Sequence, residues 1–330
     1  MKEEHGLKAG DPLPALVYES DEPVVLRGYV GDWPAVHAAK KSAEHLADYL
    51  SGFDALEPVT VYVGPESING RFFYNDDLTG FNFQSGKATL AQVLGRLLGP
   101  KVDDNIDTVY IGSTPVDQWL PGFRTVNDVA LPVDDALASF WLGSRTTISA
   151  HFDFPDNLAC VIAGRRRFTL FPPDQLPNLY VGPLDRTPSG QAISLVDFDM
   201  PDFERYPRFA DALETSMTAD LESGDALFIP SMWWHHVRAG EPFNMLVNYW
   251  WCTTPPAMGA PSAALNHAIL ALRDLPPRQR QVWKELFNYY VFDTQPEAFE
   301  HIPESGRGIL DALDQDSIDW IRQDLAKRFS

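Results

Sequence analysis

The sequence predicts a mainly β protein with an α/β segment before its barrel and helices after it. Between about Asp107 and Trp251, short apolar segments recur with glycine and proline between them, which is typical of an all-β sandwich or barrel. Strand and helix patterns alternate before this region, and helical spacing returns after it. We therefore divide the chain into an N-terminal domain at 1–255, with a lead-in over about 1–105 and a barrel over about 106–255, and a helical extension at 256–330.

The lead-in carries two predicted strands and two predicted helices. A β-branched run at 23–34, P-V-V-L-R-G-Y-V-G-D-W-P, predicts a short strand that ends at glycines, and residues 35–50 follow as a helix. The run V-T-V-Y-V-G at 59–64 predicts the second strand. An aromatic-rich patch occupies 71–83, and residues 88–99 predict the second helix. These elements are expected to pack on the larger barrel.

The barrel and the extension are predicted from their spacing patterns. The predicted barrel strands are T-V-Y-I-G, S-F-W-L-G, T-T-I-S-A-H-F-D, L-A-C-V-I-A-G, R-F-T-L-F, D-A-L-F-I-P and F-N-M-L-V-N-Y-W-W. In the extension, residues 262–275, 278–290 and 318–329 show helical periods.

The charge and cysteine content exclude several classes of protein. Among 330 residues, 46 acidic and 26 basic side chains give a formal charge of −20, which would repel phosphate backbones and anionic membranes. We expect no nucleic-acid partner and no membrane association, although acidity also serves simply to keep a protein soluble. The two cysteines lie in apolar surroundings, and no run approaches the ~18 apolar residues of a membrane span. A cytoplasmic location is expected.

A histidine and an aspartate two residues apart form the first candidate site. Side chains alternate across a strand, so His151 and Asp153 in S-A-H-F-D-F-P-D-N point to the same side. The segment S-M-W-W-H-H-V offers a third ligand just past a predicted strand end, where we favour His235 and expect His236 to face the opposite way and make structural hydrogen bonds. Two histidines and one carboxylate form the facial triad that binds Fe(II). A lone H-x-D is more often a hydrogen-bonded surface pair, but an unpartnered imidazole on this apolar strand would be costly to bury.

Several further motifs, in order, resemble one enzyme family. They are A-H-F-D-F-P-D-N, R-F-T-L-F-P-P-D-Q, V-D-F-D-M-P-D-F-E-R-Y-P-R-F, G-D-A-L-F-I-P-S-M-W-W-H-H-V and V-N-Y-W. The run from about Tyr110 to Trp251 resembles the JmjC and cupin-like Fe(II)/2-oxoglutarate oxygenases, with the asparaginyl hydroxylases as the nearest match. That resemblance implies a double-stranded β-helix, which is a jelly-roll barrel with flanking helices, in agreement with the strand pattern.

The resemblance also implies roles for individual residues. It makes His151, Asp153 and His235 the iron ligands, the same three that the strand argument selects. Tyr110 matches a tyrosine that binds the distal carboxylate of 2-oxoglutarate, although a packed strand aromatic explains it equally well. Arg166 stands where the family usually has a lysine for that carboxylate. An arginine can hold a carboxylate bidentately, so the role can survive the exchange.

Four further positions complete the expected cosubstrate pocket. Asn157 and Asn248 match polar residues near the cosubstrate and the metal, and Trp250 shares the inward parity of Asn248. The turn before the H-x-D motif is one residue shorter than in the relatives, so the usual cosubstrate threonine is matched by Thr147 or displaced to Ile148.

The function implied by the resemblance is oxidative. With Fe(II), 2-oxoglutarate as cosubstrate and dioxygen, such an enzyme hydroxylates a C–H of a protein side chain or a small molecule and converts 2-oxoglutarate to succinate and CO2. The alternative is a non-catalytic metal-binding cupin that binds or senses a small ligand. Methyl-lysine demethylation is less favoured, because no histone-reading module or zinc motif accompanies the barrel.

The extension suggests an oligomeric state. In the relatives a helical extension in this position forms a homodimer, while the alternative is that these helices cap the barrel within one subunit. The apolar residues at helical spacing are Leu265, Ile269, Leu270, Leu272, Trp283, Leu286 and Phe287.

Overall fold

The structure is a computed structural model that describes residues 1–99, 108–188, 190–254 and 258–329. The chain forms two compact units, Met1–Cys252 and Thr253–Ser330. The predicted domain boundaries near residues 105 and 255 lie outside the described residues.

The strands of the N-terminal unit form two sheets. One sheet has nine strands in the order β1-β2-β12-β9-β14-β7-β6-β3-β5, and the other has five in the order β11-β10-β13-β8-β4. The strands are β1 (Lys2–His5), β2 (Val24–Arg27), β3 (Val59–Gly64), β4 (Arg71–Phe72), β5 (Gln84–Ala88), β6 (Thr108–Pro115), β7 (Leu137–Gly143), β8 (Thr146–Phe152), β9 (Asp156–Ala163), β10 (Arg166–Phe171), β11 (Met217–Leu221), β12 (Ala226–Ile229), β13 (Trp234–Ala239) and β14 (Asn244–Trp251).

The two sheets enclose an apolar core, and the predicted jelly-roll fold is confirmed. Strand pairs are antiparallel except β1 with β2 and β4 with β8. One buried cluster joins Phe168 and Leu170 of the smaller sheet to Val161 and Leu246 of the larger one. Since alternate residues of each strand face this layer, the inner face of either sheet can carry a site.

Helices pack on the larger sheet, where a second and larger cluster buries Leu46, Leu90 and Phe140. The helix predicted over 35–50 is in fact two helices, because the Ser42 hydroxyl accepts the backbone N–H of His45 and caps a new start. The helices of this unit are α1 (Ala15–Tyr18), α2 (Pro34–Lys41), α3 (Ala43–Ser51), α4 (Leu90–Leu98), α5 (Val116–Trp119) and α6 (Phe209–Thr215).

The C-terminal unit is helical, as its spacing predicts. Its helices are α7 (Pro261–Leu272), α8 (Pro277–Phe287), α9 (Glu304–Arg307) and α10 (Gln315–Phe329). Neither α7 nor α8 buries a residue, and large apolar side chains such as Leu270 and Trp283 are exposed. The homodimer through these helices stays a prediction. No helix in the described part of the chain is long and apolar enough to cross a bilayer.

Candidate metal centre and its cavity

Two neighbouring strands of the smaller sheet bring the candidate ligands together. His151 of β8 lies directly opposite His235 of β13, with the ring centroids 4.3 Å apart, and Asp153 follows the end of β8. His235 Nε2 lies 3.5 Å from Asp153 Oδ2. One ligand atom from each of the three residues lies within 4.8 Å of the others. A single metal ion could therefore be held by all three.

Backbone carbonyls orient both imidazoles. His151 Nδ1 lies 3.0 Å from the Ser149 carbonyl oxygen, and His235 Nδ1 lies 3.1 Å from that of Trp233. A carbonyl only accepts, so each Nδ1 carries the hydrogen and each Nε2 keeps its lone pair for a metal. This is the tautomer that an imidazole ligand needs.

The charges of the cluster also suit a divalent cation. Burial, together with the neighbouring His235, lowers the pKa of His151 to about 4, so its ring is neutral at physiological pH. Burial alone would raise the pKa of Asp153, but the neighbouring side chains of His235, His151 and Trp250 together outweigh it and hold that pKa below its usual value. A neutral imidazole and an ionised carboxylate are the states that bind metal ions.

The neighbouring histidine is turned away from this cluster. His236 stacks on Phe198 at 4.5 Å between ring centroids, in contact with the apolar cluster on the outer face of the smaller sheet. Burial, with Arg71 nearby, lowers the pKa of His236 to about 3. Both His235 and His236 lie inside β13, whereas the sequence placed them just past a strand end. Strand alternation gives the two rings opposite directions.

A β-bulge in β8 corrects one predicted site residue. His151 pairs with His235, yet the next inward pair is Ile148 with Val237, so β8 carries one extra residue there. With strict alternation Thr147 would share the side of His151. The bulge reverses that parity, and Thr147 instead lines a polar groove on the outer face, opposite exposed Arg238. Thr147 is therefore not part of this site.

The remaining predicted residues line one cavity with the ligands. The cavity has a volume of about 150 Å³, below the roughly 300–1,000 Å³ of pockets for drug-sized ligands. It accepts only a small ligand. The sequence-predicted residues on its wall are Tyr110, His151, Asp153, Asn157, Arg166, His235, Asn248 and Trp250.

Arg166 is the unusual member of this wall. It is 4% exposed, and its buried Nε atom has no hydrogen-bond partner among the residues that the structure describes. No carboxylate in the described ranges lies within ion-pair distance of its guanidinium. Burial lowers the pKa of Arg166 and raises that of Tyr110. The contact between the guanidinium and the Tyr110 hydroxyl partly opposes both shifts. The turn before it requires a glycine, since Gly164 has φ +77° and a Cβ there would collide with the Asn244 side chain.

A chain of hydrogen bonds crosses the opposite wall of the cavity. The Trp141 indole N–H donates to Asn248 Oδ1 at 2.7 Å, and Asn248 Nδ2 donates to Asn157 Oδ1 at 3.2 Å. The Trp250 indole N–H has no hydrogen-bond partner in the described part of the chain, although its proximity helps to lower the pKa of Asp153. Sequence reasoning missed Trp141, although its inward parity with Ser139 on β7 was a usable signal.

An outer chamber of about 190 Å³ adjoins this cavity. Tyr110, Ser113, Trp141 and Ile148 line both spaces. The described residues that form the additional walls of the outer chamber include no charged side chain. They are Tyr62, Phe72, Phe83, Gly112, Ser149, Pro188, Gly190 and Ile193. The chamber therefore offers an apolar approach to the metal ligands.

Comparison with known proteins gives one family. The model of the cupin-like domain matches residues 13–256, which is well over half of the chain. The chain is similar to lysine-specific demethylase JMJ31 of Arabidopsis thaliana, at 38% identity over 114 residues that cover 34% of this chain and 20% of the relative. It is also similar to tRNA wybutosine-synthesizing protein 5 of Gallus gallus, at 34% identity over 148 residues that cover 40% and 43%.

A third relative matches more of this chain at lower identity. HSPB1-associated protein 1 of Bos taurus is 27% identical over 238 residues, which cover 69% of this chain and 48% of the relative. The chain thus spans less than half the length of each of these three relatives.

Proposed function

The chain belongs to the cupin-like domain family, and from that premise we propose that it is an Fe(II)/2-oxoglutarate-dependent oxygenase that hydroxylates a C–H bond. The family resemblance and the facing His151, Asp153 and His235 support an oxygenase of this general type. Beyond that general type, we propose that the reaction is a hydroxylation and that residues of the cavity bind the cosubstrate.

The single observation that carries the proposal is the unpaired guanidinium of Arg166 beside the metal ligands. A buried cation without a counter-charge is costly, so such groups are normally paired. The missing partner is an anion, and the cavity that Arg166 lines accepts only a small ligand. A small dicarboxylate meets both needs, because one end can chelate a metal while the other pairs with Arg166.

Different residues of the chain would bind the metal and the cosubstrate. His151, Asp153 and His235 would hold Fe(II) from one side and leave its other positions open. Bound there, Fe(II) supplies the activation of dioxygen by which 2-oxoglutarate becomes succinate and CO2 while a substrate C–H becomes C–OH. Arg166 and the protonated Tyr110 hydroxyl would donate to the far carboxylate and fix its position.

The substrate is proposed to be a protein side chain or a small molecule. The apolar outer chamber gives a substrate C–H access to the metal ligands without passing a charged wall. The names of two relatives refer to lysine demethylation and to tRNA. The formal charge of −20 disfavours a polynucleotide substrate for this chain, because most of the surface would repel it.

An anaerobic titration tests the proposal directly. Purified protein receives Fe(II) and then 2-oxoglutarate, and the visible charge-transfer band of a 2-oxo acid chelated to iron is recorded. We expect the band in the unaltered protein and its loss in His235→Ala, with His236→Ala as the matched neighbour that keeps all three ligands. Bound iron without any band would favour the non-catalytic cupin that binds another ligand.

A further inference from the structure

The hydrogen-bonded chain on the cavity wall has a direction, and we propose that Trp141 sets it. In this inference Trp141 is a positioning residue that forces Asn157 to present amide hydrogens to a carboxylate bound in the cavity. The inference rests on the proposed function, in which that carboxylate belongs to 2-oxoglutarate.

The direction follows from what each group can do. A carboxamide can offer either its oxygen or its NH2 to a neighbour, whereas an indole nitrogen can only donate. Since Trp141 Nε1 donates to Asn248, the Asn248 oxygen must point at the indole. Its NH2 is then directed at Asn157 and uses the Asn157 oxygen as the acceptor. The series therefore ends at Asn157, whose two Nδ2 hydrogens are not used in it.

Burial prevents the chain from reversing. Asn157 and Asn248 are 6% and 1% exposed, so water cannot readily repair a lost hydrogen bond. If Asn248 flipped, its NH2 would face the indole N–H and two buried donors would lose their acceptors, which is costly. The Trp141 ring is itself held between Tyr110, at 6.1 Å between centroids, and Trp250, at 5.8 Å.

The remaining donor has no partner within the described structure. Asn157 lines the cavity, and its Nδ2 makes no hydrogen bond to any described residue. Arg166 lines the same cavity and also has donors to spare. Two uncommitted donors, one of them cationic, select an oxyanion over a cation or a neutral donor ligand. Trp141 therefore contributes to anion recognition through Asn248 and Asn157.

The test measures the affinities for Fe(II) and for 2-oxoglutarate separately under anaerobic conditions. Trp141→Phe removes the N–H and keeps an aromatic ring, while Asn157→Ala removes the final donor. We expect each change to weaken 2-oxoglutarate binding about ten- to hundredfold, the range of one hydrogen bond to a charged group, and to leave Fe(II) affinity within about twofold. The double variant should bind 2-oxoglutarate no more weakly than Asn157→Ala alone.

Trp119→Phe is the matched control. The indole nitrogen of Trp119 is buried but has no hydrogen-bond partner in the described ranges, and Trp119 packs against the helix-side core away from the cavity. It should change neither affinity. Thermal unfolding of all four variants checks that each remains folded.

Each other outcome refutes the inference in its own way. Unchanged 2-oxoglutarate affinity in Trp141→Phe, or equal losses that add in the double variant, would mean that the indole acts only as a cavity wall. Loss of Fe(II) affinity together with 2-oxoglutarate affinity would indicate general damage to the site. If the unaltered protein binds Fe(II) but no 2-oxoglutarate, the proposed function fails, and the inference fails with it.

Discussion

Replacing Arg166 with methionine should make the ligand-free protein more stable while it destroys cosubstrate binding. Methionine fills similar space with a flexible apolar chain and removes the unpaired charge. Apolar replacement of buried ionic groups is often neutral or stabilising by 1–4 kcal/mol. Because Arg166 is 4% exposed and has no carboxylate partner among the described residues, we expect the free energy of unfolding to rise by about 1–3 kcal/mol.

The expected loss of 2-oxoglutarate affinity follows from the hydrogen bonds that Arg166 would make to the cosubstrate. A bidentate guanidinium–carboxylate pair contains two charge-assisted hydrogen bonds of about 1.5–3 kcal/mol each. Losing both would cost roughly 3–6 kcal/mol, or about two to four orders of magnitude in 2-oxoglutarate affinity. Iron affinity should not follow, since Arg166 contributes no metal ligand.

Urea unfolding and anaerobic 2-oxoglutarate titration of the same preparations provide the assay. The matched control is Arg167→Met, the next residue on β10, whose guanidinium is exposed and pairs with Asp220 at 2.7 Å. Such surface pairs contribute about 0–1 kcal/mol, so this control should change neither quantity much. A destabilised Arg166→Met variant that binds 2-oxoglutarate normally would refute the reasoning.

Three further outcomes are expected. Asp153→Ala or His235→Ala should abolish iron-dependent turnover in a folded protein, checked by activity and circular dichroism; full activity in either would disprove the triad. A thiol reagent at neutral pH should modify exposed Cys252 in the native protein and Cys160 only after unfolding, because Cys160 is buried and burial also raises the pKa of its thiol. Phe228→Ala should lower the free energy of unfolding by about 3–5 kcal/mol in urea titrations, because this side chain is completely buried.

Local sequence patterns predicted the fold, and the three residues that they offered as candidate metal ligands lie together in the structure. Two-residue alternation is a property of a single strand, so it placed His151 and Asp153 on one side without knowledge of their neighbours. Alternation along β10 likewise puts Arg166 on the same face as Phe168, and both side chains line the cavity. Strand β11, with the sequence M-T-A-D-L, escaped prediction because it is short and only weakly apolar. It forms a strand through its pairing with β10.

The sequence by itself determined which residue types are available to the site: the H-x-D pair, the two adjacent histidines and an inward arginine. Only the tertiary structure decided which of them meet. The bulge in β8 turned Thr147 out, and its position depends on the register with β13. Pairing among β7, β14 and β9 likewise brought Asn248 to Trp141 and Asn157, which lie 107 and 91 residues earlier in the chain. The spacing within one strand does not show which strands it will pair with or where a bulge will shift its register.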